Sequence, residues 1–131
     1  MTLLDAERQT WLPICEVGRL IPGRGIAALV AGRAVAVFRL DHGETVRAID
    51  NVDPCSGASV LSRGLIGQTD LGDGPVRYVA SPLRKQRFDL DTGRCLDADA
   101  SVAPWAVRVR DGVVELGHEL SPWGNGQETI L

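Results

Sequence analysis

Apolar residues come in short runs separated by Gly, Pro and Asp at close intervals, the pattern of strands and tight turns rather than of helices. Trp11-Leu12-Pro13-Ile14-Cys15 opens the ordered part, and Pro13 marks it as an edge strand or a bulged one. Ile26-Ala27-Ala28-Leu29-Val30 and Ala34-Val35-Ala36-Val37-Phe38 flank Gly32-Arg33, which reads as a tight hairpin turn. Asp41-His42-Gly43 leads into a third strand over Thr45 to Ile49, and further strands are expected at Val76 to Ala80, at Arg87 to Leu90 and, after the turn Asp91-Thr92-Gly93, at Arg94-Cys95-Leu96. Trp105 to Arg110 alternates apolar and basic residues, turns at Asp111-Gly112 and returns over Val113 to Leu116, so one face of this hairpin is core and the other solvent. Leu29, Val35, Val37, Ile49, Val79, Phe88, Val107, Val109 and Val114 fall on the expected core face.

The pattern breaks between Asp50 and Gly74, where alternation is sparse and Asp-Pro and Asp-Gly turns appear, so the functional loops are expected there. After Gly117 the run His118 to Gly126 has no periodicity and reads as a flexible tail, with Trp123 available to pack back on the body. This divides the chain into an N-terminal extension over 1–10, an all-β domain over 11–117 and a C-terminal tail over 118–131. There is no internal repeat and no low-complexity segment.

A chain of 131 residues, 44% hydrophobic and 24% charged, suits one ordinary globular domain. Its net charge of −3 supplies no global field for nucleic acid or acidic lipid, and its basic residues are nearly all arginine, Lys85 being the single lysine. No apolar run is long enough to cross a bilayer and the start lacks a basic stretch followed by an apolar one, so the expected location is the cytoplasm. Cys15, Cys55 and Cys95 are odd in number, widely spaced and without a Cys-x-x-Cys pair, which argues against a disulfide framework and a zinc site. His42 and His118 sit in a turn and at the tail, in neither a metal nor a triad setting. Gly23-Arg24-Gly25 and Gly72-Asp73-Gly74 lack the strand–turn–helix context of a phosphate loop.

Two segments carry the remaining signal: Asn51-Val52-Asp53-Pro54-Cys55-Ser56-Gly57-Ala58, and the run from Ala80-Ser81-Pro82-Leu83-Arg84-Lys85-Gln86 through Arg87-Phe88-Asp89-Leu90 to Asp91-Thr92-Gly93. In this order they resemble the two cluster loops of a Rieske domain, with Asp53 and Cys55 at the first Cys and His, and Ser81 and Arg84 at the second pair. A Rieske cluster takes two thiolates on one iron and two imidazoles on the other. This chain offers a carboxyl, a thiol, a hydroxyl and a guanidinium, and a guanidinium cannot lose its proton to become a ligand.

With Val60-Leu61-Ser62-Arg63-Gly64-Leu65-Ile66 and Val107 to Val114 added, residues 11 to 116 resemble the small subunit of assimilatory NAD(P)H nitrite reductase, a Rieske-like β-sandwich of about ten short strands without cluster ligands. The chain departs from that family in having Cys55 where a bulky apolar residue stands. The resemblance implies a chain with no cofactor and no activity of its own, which assists assembly or activity of a large subunit carrying FAD, siroheme and a [4Fe–4S] cluster that reduces nitrite to ammonium. No nucleic acid, membrane or small-molecule substrate is expected to be bound directly. Two other readings share the fold: a Rieske-type ferredoxin serving an oxygenase, and an interaction module of another oxidoreductase.

Arg63, Arg84, Lys85 and Gln86, together with Asp53 and Ser56, form a dense polar set on these loops and are the candidates for contacting a partner, arginine being favoured at interfaces for its planar donor fork. The bland alternatives are solvated loop charges for Arg63 and Lys85, an Asx-type turn at Asp53 that fixes Pro54, and a strand-end cap at Ser81.

Overall fold

The computed structural model describes residues 10–120, and the residues before and after, Trp123 among them, lie outside it. Among the described residues there are nine strands, against about ten expected: β1 (Leu12–Glu16), β2 (Arg24–Val30), β3 (Arg33–Arg39), β4 (Val46–Asp50), β5 (Leu65–Asp70), β6 (Pro75–Ala80), β7 (Arg87–Asp89), β8 (Pro104–Arg110) and β9 (Val113–Glu119). They form a six-stranded antiparallel sheet in the order β1-β9-β8-β4-β3-β2 and a three-stranded one in the order β5-β6-β7. Pro13 sits on the outer strand β1, where the register with β9 shifts between Pro13 and Cys15, so both meanings of that proline hold at once.

Strand β3 is buried on both faces. Val35 and Val37 join Leu20, Val46, Ala48, Trp105, Val114 and Leu116 in one core, while Ala36 and Phe38 point the other way and meet Ile49, Leu61, Val79, Phe88 and Leu90, where the two sheets come together. Removing a large side chain such as Phe38 or Phe88 from water contributes about 2–3 kcal/mol, so this doubly covered wall anchors the domain. Two loops leave this framework, one at the end of β4 and one at the end of β6.

Six of the nine expected core positions are fully enclosed, and Val107 and Val109 are half-buried against the first core. Leu29 is a correction, since it is 76% exposed. Ala28 and Val30 take the inward places on β2, which turns Leu29 to the opposite face. On that face cover reaches Gly25, which lies against Phe38 and Ser62, but not Leu29.

Four other expectations shift. Arg94-Cys95-Leu96, expected as a strand, forms only isolated bridges, Cys95 with Phe88 and Arg94 with Ser101. The β2–β3 turn is Ala31-Gly32, one residue earlier than Gly32-Arg33: both have positive φ, +50° and +84°, and Val30 pairs with Arg33 across a two-residue loop. Strand β5 lies inside the stretch read as loops, its alternation masked by Gly67, which faces the Tyr78 ring so closely that a Cβ would lie 2.5 Å from the phenol oxygen. Strand β9 runs through His118 to Glu119, two residues into the segment read as tail, and Leu120 N–H still donates to Pro104 O at 2.7 Å.

Candidate functional site at the junction of two loops

The first loop leaves β4 through Asp50 and Asn51, and each residue holds one side of it. Arg33 donates both to the Asp50 carboxylate, at 2.8 and 2.9 Å, and to Glu119, while Trp105 Nε1–H donates to Asp50 Oδ1 at 2.8 Å and Arg33 stacks over the Trp105 ring. Asn51 is buried and closes the loop on itself. Its Oδ1 accepts from Ser62 N–H at 2.7 Å, its Nδ2 donates to Ser59 Oγ at 2.8 Å, and its carbonyl accepts from the N–H groups of Val60 and Leu61. Sequence reasoning placed Arg33 only in a hairpin turn and Asn51 only at the start of the first loop segment, and gave neither a part in holding the loop. Asn51 opens a run of small and turn-forming residues, and an Asn there was the available signal.

Asp53 follows, completely buried, with every polar group in use. Its N–H donates to Ala58 O, its carbonyl accepts from Gly57 N–H at 2.7 Å, and Oδ1 accepts from Cys55 N–H at 2.8 Å, an Asx turn as the bland reading had it. The remaining oxygen, Oδ2, accepts the hydroxyl of Ser81 at 2.6 Å, across 28 residues of sequence. Ser81 is buried at the end of β6, and it caps the second loop: its N–H donates to Gln86 O, its carbonyl accepts from Lys85 N–H, both at 2.9 Å, and its Oγ accepts from Leu83 N–H. The two positions that match thiolate ligands are therefore brought together as a hydrogen bond that ties one loop to the other.

The other two positions differ. Cys55 is half-buried; burial pushes its thiol up, the Asp53 carboxyl pushes the same way, and nearby Arg84 only partly offsets them. A ligand or redox thiol needs the opposite shift. Arg84 is exposed. The donor set does not fit a [2Fe–2S] cluster: Asp53 and Ser81 are bonded to each other with no room for iron between them, one thiol remains, and the fourth group is a permanent cation. Among the described residues no group of three His, Cys, Asp or Glu side chains is placed to hold a metal.

Of the partner-contact candidates, Arg63, Arg84 and Lys85 are exposed and, among the described residues, none is ion-paired. Arg63 and Lys85 line one hollow together with Leu65, Ala80 and Pro82, and Arg84 does not line it. Gln86 is half-buried, and its Oε1 is enclosed without a hydrogen-bond partner among the described residues. Lys85 has φ of +63°, a left-handed conformation that side-chain-bearing residues adopt at a cost. The α-turn from Lys85 N–H to Ser81 O imposes it. His42 is exposed in the β3–β4 connection, as expected, whereas His118 is exposed on strand β9 and not in a tail.

Two sheets and two facing loops of this kind define a Rieske-like domain, and the family described as "Rieske-like [2Fe-2S] domain" matches residues 10–117. The nitrite reductase (NADH) small subunit of Salmonella typhimurium is 49% identical over 107 residues, which cover 81% of this chain and 95% of that one. The solution structure of NirD from Escherichia coli superposes with a TM-score of 0.74 at 44% identity, covering 83% of this chain and 96% of that one. The chain belongs to the nitrite reductase small-subunit family within the Rieske-like class. It is also 42% identical over 110 residues, 83% of its length, to a region making up 11% of the Klebsiella oxytoca nitrite reductase [NAD(P)H] large subunit.

Proposed function

We propose that this chain is the accessory small subunit of a cytoplasmic NAD(P)H-dependent nitrite reductase, with no activity and no cofactor of its own, and that it docks on the large subunit through the loop junction. The observation that carries this reading is the fate of the four ligand positions: Asp53 and Ser81 form a buried tie between loops, Cys55 is a half-buried thiol, and Arg84 is exposed and, among the described residues, not ion-paired. FAD, siroheme and the [4Fe–4S] cluster then belong to the large subunit, where nitrite is reduced to ammonium. The Klebsiella oxytoca chain supports the pairing, because there a region similar to this one is covalently part of a protein named as a large subunit. Nucleic acid, membranes and small-molecule substrates have no place in this role.

The test is co-expression with the large subunit and nitrite reduction measured with and without this chain. The chain is expected to co-purify, to be inert alone, and to raise the activity or yield of the complex. Arg84→Glu combined with Lys85→Glu is expected to weaken association by about 1–3 kcal/mol through repulsion or unpaired burial. A brown preparation with near-stoichiometric iron would instead make the chain an electron carrier, and activity indifferent to its presence would leave the accessory role without support.

A further inference from the structure

The cationic surface continues beyond the two loops into a seam between the sheets. Strands β2 and β5 are each the outer strand of their sheet. Their first residues lie side by side, and a second hollow runs between Arg24 and Gly25 on one side and Ser62, Arg63, Gly64 and Leu65 on the other. Gly25 lets the two sheets approach here: a Cβ on it would stand 3.0 Å from the Ser62 carbonyl oxygen across the seam, and 2.6 Å from the Phe38 ring beneath it. Beside it Arg24 and Arg63 are exposed, and Leu65 is 79% exposed, the most exposed large apolar residue described.

This hollow shares Arg63, Gly64 and Leu65 with the hollow beside Lys85, so the two make one strip. Among the described residues no Asp or Glu lines either hollow, and none of Arg24, Arg63 and Lys85 is ion-paired. Arg33, Arg47, Arg87 and Arg108 elsewhere each hold a carboxylate. A clustered positive strip on a chain of net charge −3 is a local field whose complement is negative. An exposed leucine and proline at its centre add an apolar contact that ions in solution cannot use.

We propose that the strip Arg24, Arg63, Leu65 and Lys85 receives an acidic segment of the large subunit, its carboxylates on the three cations and an apolar side chain over Leu65 and Pro82. This rests on the reading of the chain as that subunit's partner. The test is titration of purified large subunit with the full chain at about 0.05 and about 0.5 M salt, where screening reaches about 14 Å and 4 Å. Wild type is expected to lose about tenfold or more in affinity across that range, and Arg24→Glu and Leu65→Glu are each expected to lose about tenfold at low salt. Both replaced side chains are exposed, and circular dichroism with the unchanged binding of Arg110→Glu, on the β8–β9 hairpin, controls for folding and for net charge. If Arg24→Glu and Leu65→Glu bind like wild type while Arg84→Glu with Lys85→Glu is weakened, the strip is overturned and the small-subunit reading stands. If wild type itself fails to bind the large subunit, both fall.

Discussion

The interior and the exterior of the loop junction are built by the same two segments and obey opposite rules. Inside, Asn51, Asp53 and Ser81 are buried and their polar groups are matched by partners within the loops. Outside, Arg63, Arg84 and Lys85 stand in solvent with no carboxylate answering them among the described residues. Buried polar groups left unmatched cost stability, so the inner set is what the fold requires of loops that hold no cluster. Exposed charges cost little in either state, so nothing in folding calls for the outer set to cluster. The difference separates residues to be tested by stability from residues to be tested by binding.

The largest expected effect is therefore on the inside. Asp53→Ala leaves the Ser81 hydroxyl and the Cys55 N–H without their acceptor in a closed space, and is expected to lower unfolding free energy by about 2–4 kcal/mol. Ser81→Ala leaves the buried Asp53 Oδ2 without its donor and Leu83 N–H without its acceptor, and should cost about 1–3 kcal/mol. Urea denaturation of both single variants and the double variant gives the coupling between them. A double variant no worse than Asp53→Ala fits a single shared bond, whereas additive costs would mean that the two loops are tied by something else.

On the outside the same measurement should find almost nothing. Arg84→Glu with Lys85→Glu is expected to change stability by less than about 0.5 kcal/mol. A larger loss would erase the contrast, because it would show the outer cations contributing to the fold.

Lys85 sharpens the boundary, since its side chain belongs to the outer set and its backbone to the inner one. Glycine tolerates φ of +63° without the Cβ clash, so Lys85→Gly is expected to raise stability by about 0.5–1 kcal/mol while association with the large subunit weakens. Strain retained at an exposed lysine and released without loss of binding would count against any role for the side chain.

Much of this was legible in the residues themselves. The alternation of β3, β4 and β8, the Asp111-Gly112 hairpin turn and the two loop segments all follow from local pattern, because turn chemistry and the two-residue period act over a few positions. What pattern could not supply was coverage. Leu29 alternates correctly and still faces solvent, since whether a strand face is covered depends on where the second sheet ends. Strand β5 escaped because Gly67 yields its place to the Tyr78 ring, a contact made across strands. The Asp53 and Ser81 positions were read from the resemblance to cluster loops, but the bond between them is a tertiary fact with no local signature. Arg24 stayed outside the candidate set for the same reason, lying far from Arg63 in sequence and opposite it across one hollow.

The pH dependence of stability sharpens the comparison through a cation at the base of the second loop that, unlike Arg84, is compensated. Arg87 grips Asp97 with Nη2 at 2.7 Å and Nε at 3.0 Å, and its backbone N–H donates to the same carboxylate at 2.8 Å. These bonds, the side-chain ones foremost, hold the Asp97 carboxyl below the ordinary aspartate range of about 3.9. A group whose proton binds more weakly in the folded state than in the unfolded one adds stability that is fully present above the unfolded value and is lost as pH falls through the folded value. Both side chains are about one-third exposed, 34% and 33%, so solvent screening limits the contribution to under about 1 kcal/mol. Asp97→Asn is accordingly expected to be slightly less stable than wild type from pH 7 down to about 5, with the gap closing below about 4 as the wild-type carboxyl takes up its proton. Arg84→Gln, which removes a cation with no acid to answer it, should show no such closing gap. Urea midpoints collected from neutral to acid pH compare the two directly, and an Asp97→Asn deficit that persisted undiminished in acid would mean that the loop is held by the geometry of the carboxyl group and not by its charge.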